Sequence, residues 1–182
     1  LHVPKCAGTS LTESLIKSIN PACPIGGADR TMYGTFDVFK NMPWADQQYI
    51  YRSGREISPL SDFLSGHFAL SNIIQWDKDA SILLIAREPR SRILSLWTFW
   101  RESAEINADL PESLHCQVRA AHGTFYEFLN NKNVCHQVDN IITRMLLYPD
   151  ILIPENDFID PKYDSIIMEK VIEKLDFFSH IN

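Results

Sequence analysis

The stretch that most constrains this chain is its first eleven residues, Leu1-His2-Val3-Pro4-Lys5-Cys6-Ala7-Gly8-Thr9-Ser10-Leu11. A short apolar piece runs into a lysine, a small-residue turn and two hydroxyls. Leu11, Leu15, Ile16 and Ile19 then recur at helical spacing behind Thr9, which suits an N-cap. The spacing predicts a strand, a tight loop and the start of a helix. Such a loop aims successive backbone N–H groups at one spot, backed by the positive end of the helix dipole. Ala7 and Gly8 admit a close ligand, Lys5 adds a full charge, and Thr9 and Ser10 add donors. Those are the parts of a phosphate cradle. They are equally the parts of an ordinary strand–helix turn with a surface lysine, so a second element has to decide.

The loop is not of the Walker A kind, in which the lysine follows the glycines and a Ser or Thr after it holds magnesium. Here Lys5 precedes Gly8, which brings its ammonium to the ligand from the other side of the turn.

The second element is Arg87-Glu88-Pro89-Arg90-Ser91-Arg92-Ile93-Leu94-Ser95. It follows Ser81–Ala86, a run apolar on both faces, as a central parallel strand should be. Pro89 suits the first turn of a helix. Ser91, Arg92 and Ser95 then fall on one face, and Arg87, at the strand end, reaches the Ser95 hydroxyl over it. A guanidinium fork beside a hydroxyl is a receptor for a second phosphate. Ile93, Leu94, Leu96, Trp97, Phe99 and Trp100 give this helix an apolar character that predicts burial.

Elsewhere, Asn20–Gly34 carries Pro, Gly and Asp and reads as a loop, in which Cys23 and Asp29 are structural. Gln48–Tyr51 predicts a short strand, Phe36–Pro43 is ambiguous, and Ser65-Gly66-His67-Phe68 precedes a helical pattern through Leu70, Ile73 and Ile74. Glu105–Cys116 reads as a loop and excursion. Helical patterns return at Phe125–Leu129, at Val138–Leu147 and in a final helix with Ile167, Val171, Ile172 and Leu175 on one face, before a last strand at Phe177–Ile181. Trp44, Trp76, Trp97 and Trp100 read as core, with Trp44 or Trp76 a sugar platform only if exposed.

Strands alternating with helices imply an α/β domain with a mainly parallel sheet flanked by helices. Ligands of such sheets bind beyond the carboxyl ends of the strands, the edge where Lys5 and Arg87 both fall. Length, at 182 residues, and 45% hydrophobic content fit a single domain over residues 1–182. The opening at Leu1, inside a strand, and the stop at Asn182 suggest a domain clipped at both ends. A formal charge of −6 argues against a nucleic-acid-coating protein, although residues 87–101 hold four Arg against one Glu. No apolar run reaches membrane-spanning length. Cys6, Cys23, Cys116 and Cys135 lack the spacing of a zinc site and leave the redox compartment open.

With both anion elements in hand, the chain resembles the sulfotransferases that use 3′-phosphoadenosine 5′-phosphosulfate (PAPS), above all the carbohydrate (Golgi-type) group and its bacterial relatives. The Pro4–Ser10 loop is similar to the family's 5′-phosphosulfate loop. Arg87–Ser95 is similar to its R-[DE]-P-x-x-R-x-x-S element, whose first Arg and last Ser bind the 3′-phosphate. Ser65–Phe68 is similar to its G-H element, whose His is the usual base, and Asp139–Leu146 to a weaker downstream element. Cys6 stands where Thr, Gly or Ala is common.

The resemblance implies a P-loop NTPase-like fold and transfer of a sulfuryl group to an acceptor hydroxyl, on a carbohydrate by preference, with no metal. It implies catalysis by Lys5 and His67, and cofactor binding by Lys5, Cys6, Ala7, Gly8, Thr9, Ser10, Arg87 and Ser95. The expected partners are PAPS, its product 3′-phosphoadenosine 5′-phosphate (PAP) and a glycan, with neither nucleic acid nor membrane contacted by this fragment. Two other functions stay open, a P-loop kinase of a small metabolite and a non-catalytic nucleotide- or glycan-binding module of the same fold. The compartment is cytoplasmic for a bacterial parent, or the Golgi lumen behind an upstream membrane anchor for a eukaryotic one.

Overall fold

The computed structural model describes residues 1–32, 39–106 and 115–181. Among these the chain is α/β and mostly helical, with nine α-helices around a small parallel sheet. Helix α1 (Gly8–Ile19) leads to β1 (Pro24–Asp29), then α2 (Trp44–Gln47), β2 (Ile50–Tyr51), β3 (Phe63–His67) and α3 (Leu70–Trp76). Strand β4 (Ile82–Leu84) feeds the long α4 (Pro89–Ile106). Five helices follow: α5 (His115–Ala121), α6 (Phe125–Leu129), α7 (Cys135–Val138), α8 (Ile141–Leu147) and α9 (Asp164–Leu175). Strand β5 (Phe178–Ile181) comes last.

Strands β2, β1 and β3 pair in that order, and β4 pairs with β5, all parallel. The first residues of the chain join the two groups. His2 donates its N–H to Gly66 O at 2.8 Å on one side and bridges Ile85 in parallel on the other, while the Leu1 amino group reaches Leu83 O at 2.8 Å. Lys5, His67 and Arg87 therefore all leave the sheet at its carboxyl edge, as the sequence expects.

Strand β1 corrects the expectation of a loop at Asn20–Gly34. Pro24-Ile25-Gly26-Gly27-Ala28-Asp29 is the middle strand of its group, with Ala28 opposite both Ile50 and His67. Its glycines, normally breakers, serve close approach of neighbouring backbones. A β-carbon on Gly66 would lie 2.1 Å from Gly27 O, and one on Gly27, whose φ is 155°, would lie 2.8 Å from Tyr49 O. Asp29, fully buried at the end of β1, accepts from Thr31, from the Ala69 N–H and from Asn72 Nδ2 at 3.1 Å. It is a structural carboxylate, which burial pushes toward the neutral form against those hydrogen bonds.

The main core gathers Val3, Phe68, Leu70, Leu84, Met145 and Leu146 between sheet and helices. A second core packs Leu96 and Trp100 of α4 against Val118, Phe128, Val134 and Val138. At about 1.5–3 kcal/mol for each large apolar side chain buried, this second cluster holds the long α4 against α5, α6 and α7. Among its described side chains, helix α4 buries one stripe, Arg92, Leu96, Trp100 and Ser103. Leu94 and Phe99, expected inside, are 51% and 42% exposed, because they fall on the flank that lines the site. In α9, Ile167 is buried and Val171 and Leu175 pack on the core, but Ile172 points to solvent. Trp44 is exposed rather than core, whereas Trp76 and Trp100 are anchored through their indole N–H to Ser58 O and Gln137 Oε1, each at 3.2 Å.

The expected helix over Val138–Leu147 is two helices, broken where Asn140 takes a left-handed φ of 46°. Part of Phe36–Pro43 and most of Glu105–Cys116 lie outside the described residues, although α4 runs on to Ile106. No disulfide joins the four cysteines. No described helix is long and apolar enough to cross a membrane.

Candidate functional site

The loop after the first strand turns by placing two non-glycine residues in the left-handed region, Lys5 at φ 66° and Ala7 at φ 60°. Each such residue carries about 1 kcal/mol or more of local strain, which packing must hold. The anchors are Val3, fully buried, and Cys6, 4% exposed, with the Cys6 N–H on Val3 O at 3.3 Å. Cys6 thus points into the core and offers an incoming ligand only its backbone. Helix α1 begins at Gly8 with Ala7 at the N-cap and no side-chain cap. Thr9, expected as the cap, is already inside the first turn, so its hydroxyl and that of Ser10 remain exposed.

This helix start faces a cavity of about 370 Å³, lined by Lys5, the Ala7–Ser10 segment, His2, His67, Phe99 and Gln137 among others. The His67 Nδ1 lies 2.6 Å from the His2 carbonyl oxygen. A carbonyl only accepts, so Nδ1 carries the proton and Nε2 keeps its lone pair. Burial lowers the His67 pKa, and the hydrogen bond to the His2 carbonyl opposes that shift in part. The ring is a neutral imidazole at pH 7, the form a general base needs. The His2 ring stacks on it at 4.5 Å between centroids, tilted by 37°. Burial, then the charge of His67, push the His2 pKa down to about 4.

A second cavity, about 470 Å³, opens on the other side of Lys5 and is lined by Lys5, Arg87, Ser91, Ser95 and Phe99 with their neighbours on α4. Arg87 is exposed and reaches back to Lys5 O at 3.4 Å. The Lys5 ammonium sits 4.3 Å from the centre of the Phe99 ring. Lys5 and Phe99 belong to both cavities, which meet at that contact.

One part of the expected second anion site is corrected. Arg92 does not share the face of Ser91 and Ser95. It is 4% exposed and donates through Nη2 to Gln137 O at 2.9 Å, inside the core. Nor is the N-terminus of α4 open. Glu88 accepts from the Arg90 N–H at 3.0 Å and from the Ser91 N–H and hydroxyl, each at 2.7 Å. Those bonds, the Ser91 hydroxyl first, hold its carboxyl down to about 2. An anion in this cavity would therefore meet Arg87 and Ser95 rather than the helix start.

The downstream Asp139–Leu146 element lines neither cavity, although Ile141, Met145 and Leu146 share the main core with Val3 and Cys6. Arg144 pairs with Asp139 at 2.7 Å and donates to Pro154 O at 2.6 Å and Asp157 O at 2.7 Å, while Asp139 accepts the Ile159 N–H at 2.7 Å. That buried clamp fixes the segment after α8. Gln137, just ahead of it, reaches the first cavity. Phe99, His2 and Gln137 were not singled out in sequence. Phe99 was legible in principle, since it lies four residues after Ser95 on the same helical face.

Strand ends, loop and helix starts make an α/β protein in which an uncapped helix start and a cleft holding Arg87 and Ser95 lie on two sides of Lys5. Compared with known families, curated proteins and solved structures, the chain matches no family model, no curated protein and no solved structure.

Proposed function

We propose that this chain is a PAPS-dependent sulfotransferase domain of the P-loop NTPase-like fold, acting on a hydroxyl of a carbohydrate acceptor. One observation carries this reading. Lys5 stands at the meeting point of two cavities, one bounded by an uncapped helix start and His67, the other by Arg87 and Ser95. That arrangement suits a donor with two separated anionic groups. The parallel order β2, β1, β3, Leu1–Val3, β4, β5, with the loop following an inner strand, supports the fold assignment.

PAPS would supply an activated sulfuryl group whose leaving group is the 5′-phosphate of PAP. The residues present fit it. The α1 backbone from Ala7 to Ser10 and the Lys5 ammonium suit the 5′ end, and Arg87 with Ser95 suits the 3′-phosphate. His67 Nε2 would accept the proton of the acceptor hydroxyl, and Lys5 would offset the charge left on the 5′-phosphate oxygen when the sulfuryl group passes in line to that hydroxyl. The moving group is less charged than a phosphoryl group, so the scheme calls for no magnesium clamp.

Titration calorimetry with PAP, 5′-AMP and ATP–magnesium, on wild type and Arg87→Ala, tests the reading. The expected result is binding of PAP that depends on the 3′-phosphate and is lost with Arg87. A preference for ATP–magnesium in the wild type points to a kinase and overturns it. PAP binding without transfer to any acceptor points to the binding-module alternative.

A further inference from the structure

His2 carries an inference beyond the roles assigned so far. Its backbone is fixed in the sheet, with the N–H on Gly66 O at 2.8 Å and the carbonyl accepting from His67 Nδ1 at 2.6 Å. Its ring lies between two parts of the site. On one side the His67 ring is 4.5 Å away. On the other is Gly8, the first residue of α1, where an added β-carbon would fall 1.8 Å from both Cδ2 and Nε2 of His2. Gly8 is therefore small to make room for this ring, and not only to admit a ligand. The ring is a wedge between the anion loop and the base.

We propose that the His2 side chain is a positioning residue, holding His67 as the Nδ1–H tautomer with Nε2 directed at the cavity. A histidine resting on a single hydrogen bond can rotate about its Cα–Cβ and Cβ–Cγ bonds and admit the other tautomer. A flat ring packed against its face removes that freedom, as the groups that hold the far side of a metal-bound histidine do. The charged and titratable groups facing His67, among the described residues, are His2, Lys5 across the cavity and the amino group of Leu1. Helix α4 presents Leu96, Phe99 and Trp100, and α7 presents Gln137, none of which changes charge here. Burial first pushes the His2 pKa down to about 4, so the ring is neutral near pH 7 and acts on its neighbour by shape and by excluding water rather than by charge.

The inference rests on His67 being the base only where turnover is measured; the geometry is tested without substrate. Nitrogen NMR of histidine-labelled protein reads the His67 tautomer and titration in wild type, His2→Ala, His2→Leu and His2→Phe. Leucine keeps the volume without the flat ring, which preserves the test if alanine fails to fold. The wild type should show the Nδ1–H form alone. Alanine and leucine should admit the second tautomer and move the His67 midpoint up toward the ordinary 6.5, while phenylalanine retains the wild-type pattern. In a transfer assay kcat should fall roughly tenfold for alanine and leucine, a fraction of the 10²–10⁴ of general-base catalysis, with KM for the donor unchanged. A His67 tautomer and midpoint identical in all four proteins would overturn the proposal, and so would loss of the tautomer in a folded His2→Phe.

Discussion

Among the helices that start at the carboxyl edge of the sheet, α1 and α4 have first turns treated in opposite ways. Helix α4 is closed by its own chain, with the Glu88 carboxylate on the N–H groups of Arg90 and Ser91. Helix α1 begins with Ala7 in a left-handed conformation and no side-chain cap. The four free N–H groups of a helix start need a partner, and a self-supplied carboxylate competes with any external anion. The closed end satisfies its own first turn, and the open end, beside Lys5, is the one where we propose that the donor binds.

The largest effects should come from the open end. Lys5→Ala and His67→Ala are expected to lower sulfuryl transfer by about 10² or more while leaving the circular dichroism spectrum and Tm near wild type. Full turnover in His67→Ala would remove that residue from the mechanism. Arg87→Ala should weaken PAP by roughly tenfold to a hundredfold, the value of a hydrogen-bonded charge, and leave 5′-AMP nearly unaffected. Equal losses for the two nucleotides would separate Arg87 from the 3′-phosphate.

Gly8→Ala tests the packing behind the open end. The clash with the His2 ring should lower stability by about 1–3 kcal/mol in a denaturant titration. An unchanged midpoint would show that the ring moves aside freely.

The smallest effect belongs to the closed end. The Glu88 carboxyl is held down to about 2, below its ordinary 4.5, so its contribution is complete above pH 4.5 and is lost as pH falls from there toward 2. His2, at about 4 instead of 6.5, acts in the same direction in a higher window, favouring the folded state above pH 6.5 and losing that support toward pH 4. Tm should therefore drop in two stages on acidification. Glu88→Gln should shrink the loss below pH 4.5 and His2→Phe the loss between pH 6.5 and 4, each leaving the share of other depressed groups, among them Asp62, Glu127 and Asp150 in the lower window and His67 in the upper. Neither substitution altering the profile would contradict both assignments.

The two helix starts also show how far the sequence was readable. Lys5, Gly8, Pro89 and the apolar run before Arg87 declared strand, turn and helix because each choice is local, set by a neighbour or two along the chain. The cap of α1 was misplaced because Thr9 is a good N-cap in isolation, whereas the strain held at Lys5 and Ala7 starts the helix earlier. Strand β1 is illegible for a non-local reason, since Gly27 answers to the backbone of Tyr49 just before β2, and its carbonyl to Gly66 of β3, rather than to its own segment. Arg92 was put with Ser91 and Ser95 because a four-residue step fixes only a sector of the helix. Its partner, Gln137 O, lies 45 residues away. Phe99 and His2 entered the site through contacts made across the fold, with Lys5 in one case and with His67 and Gly8 in the other.

The contrast between the helix starts is most directly tested by following backbone amide resonances while PAP is added. Large shifts at Gly8, Thr9 and Ser10, with Arg90 and Ser91 still, are what an open α1 and a Glu88-closed α4 predict. Shifts centred on Arg90 and Ser91, or none at the α1 start, would contradict the account.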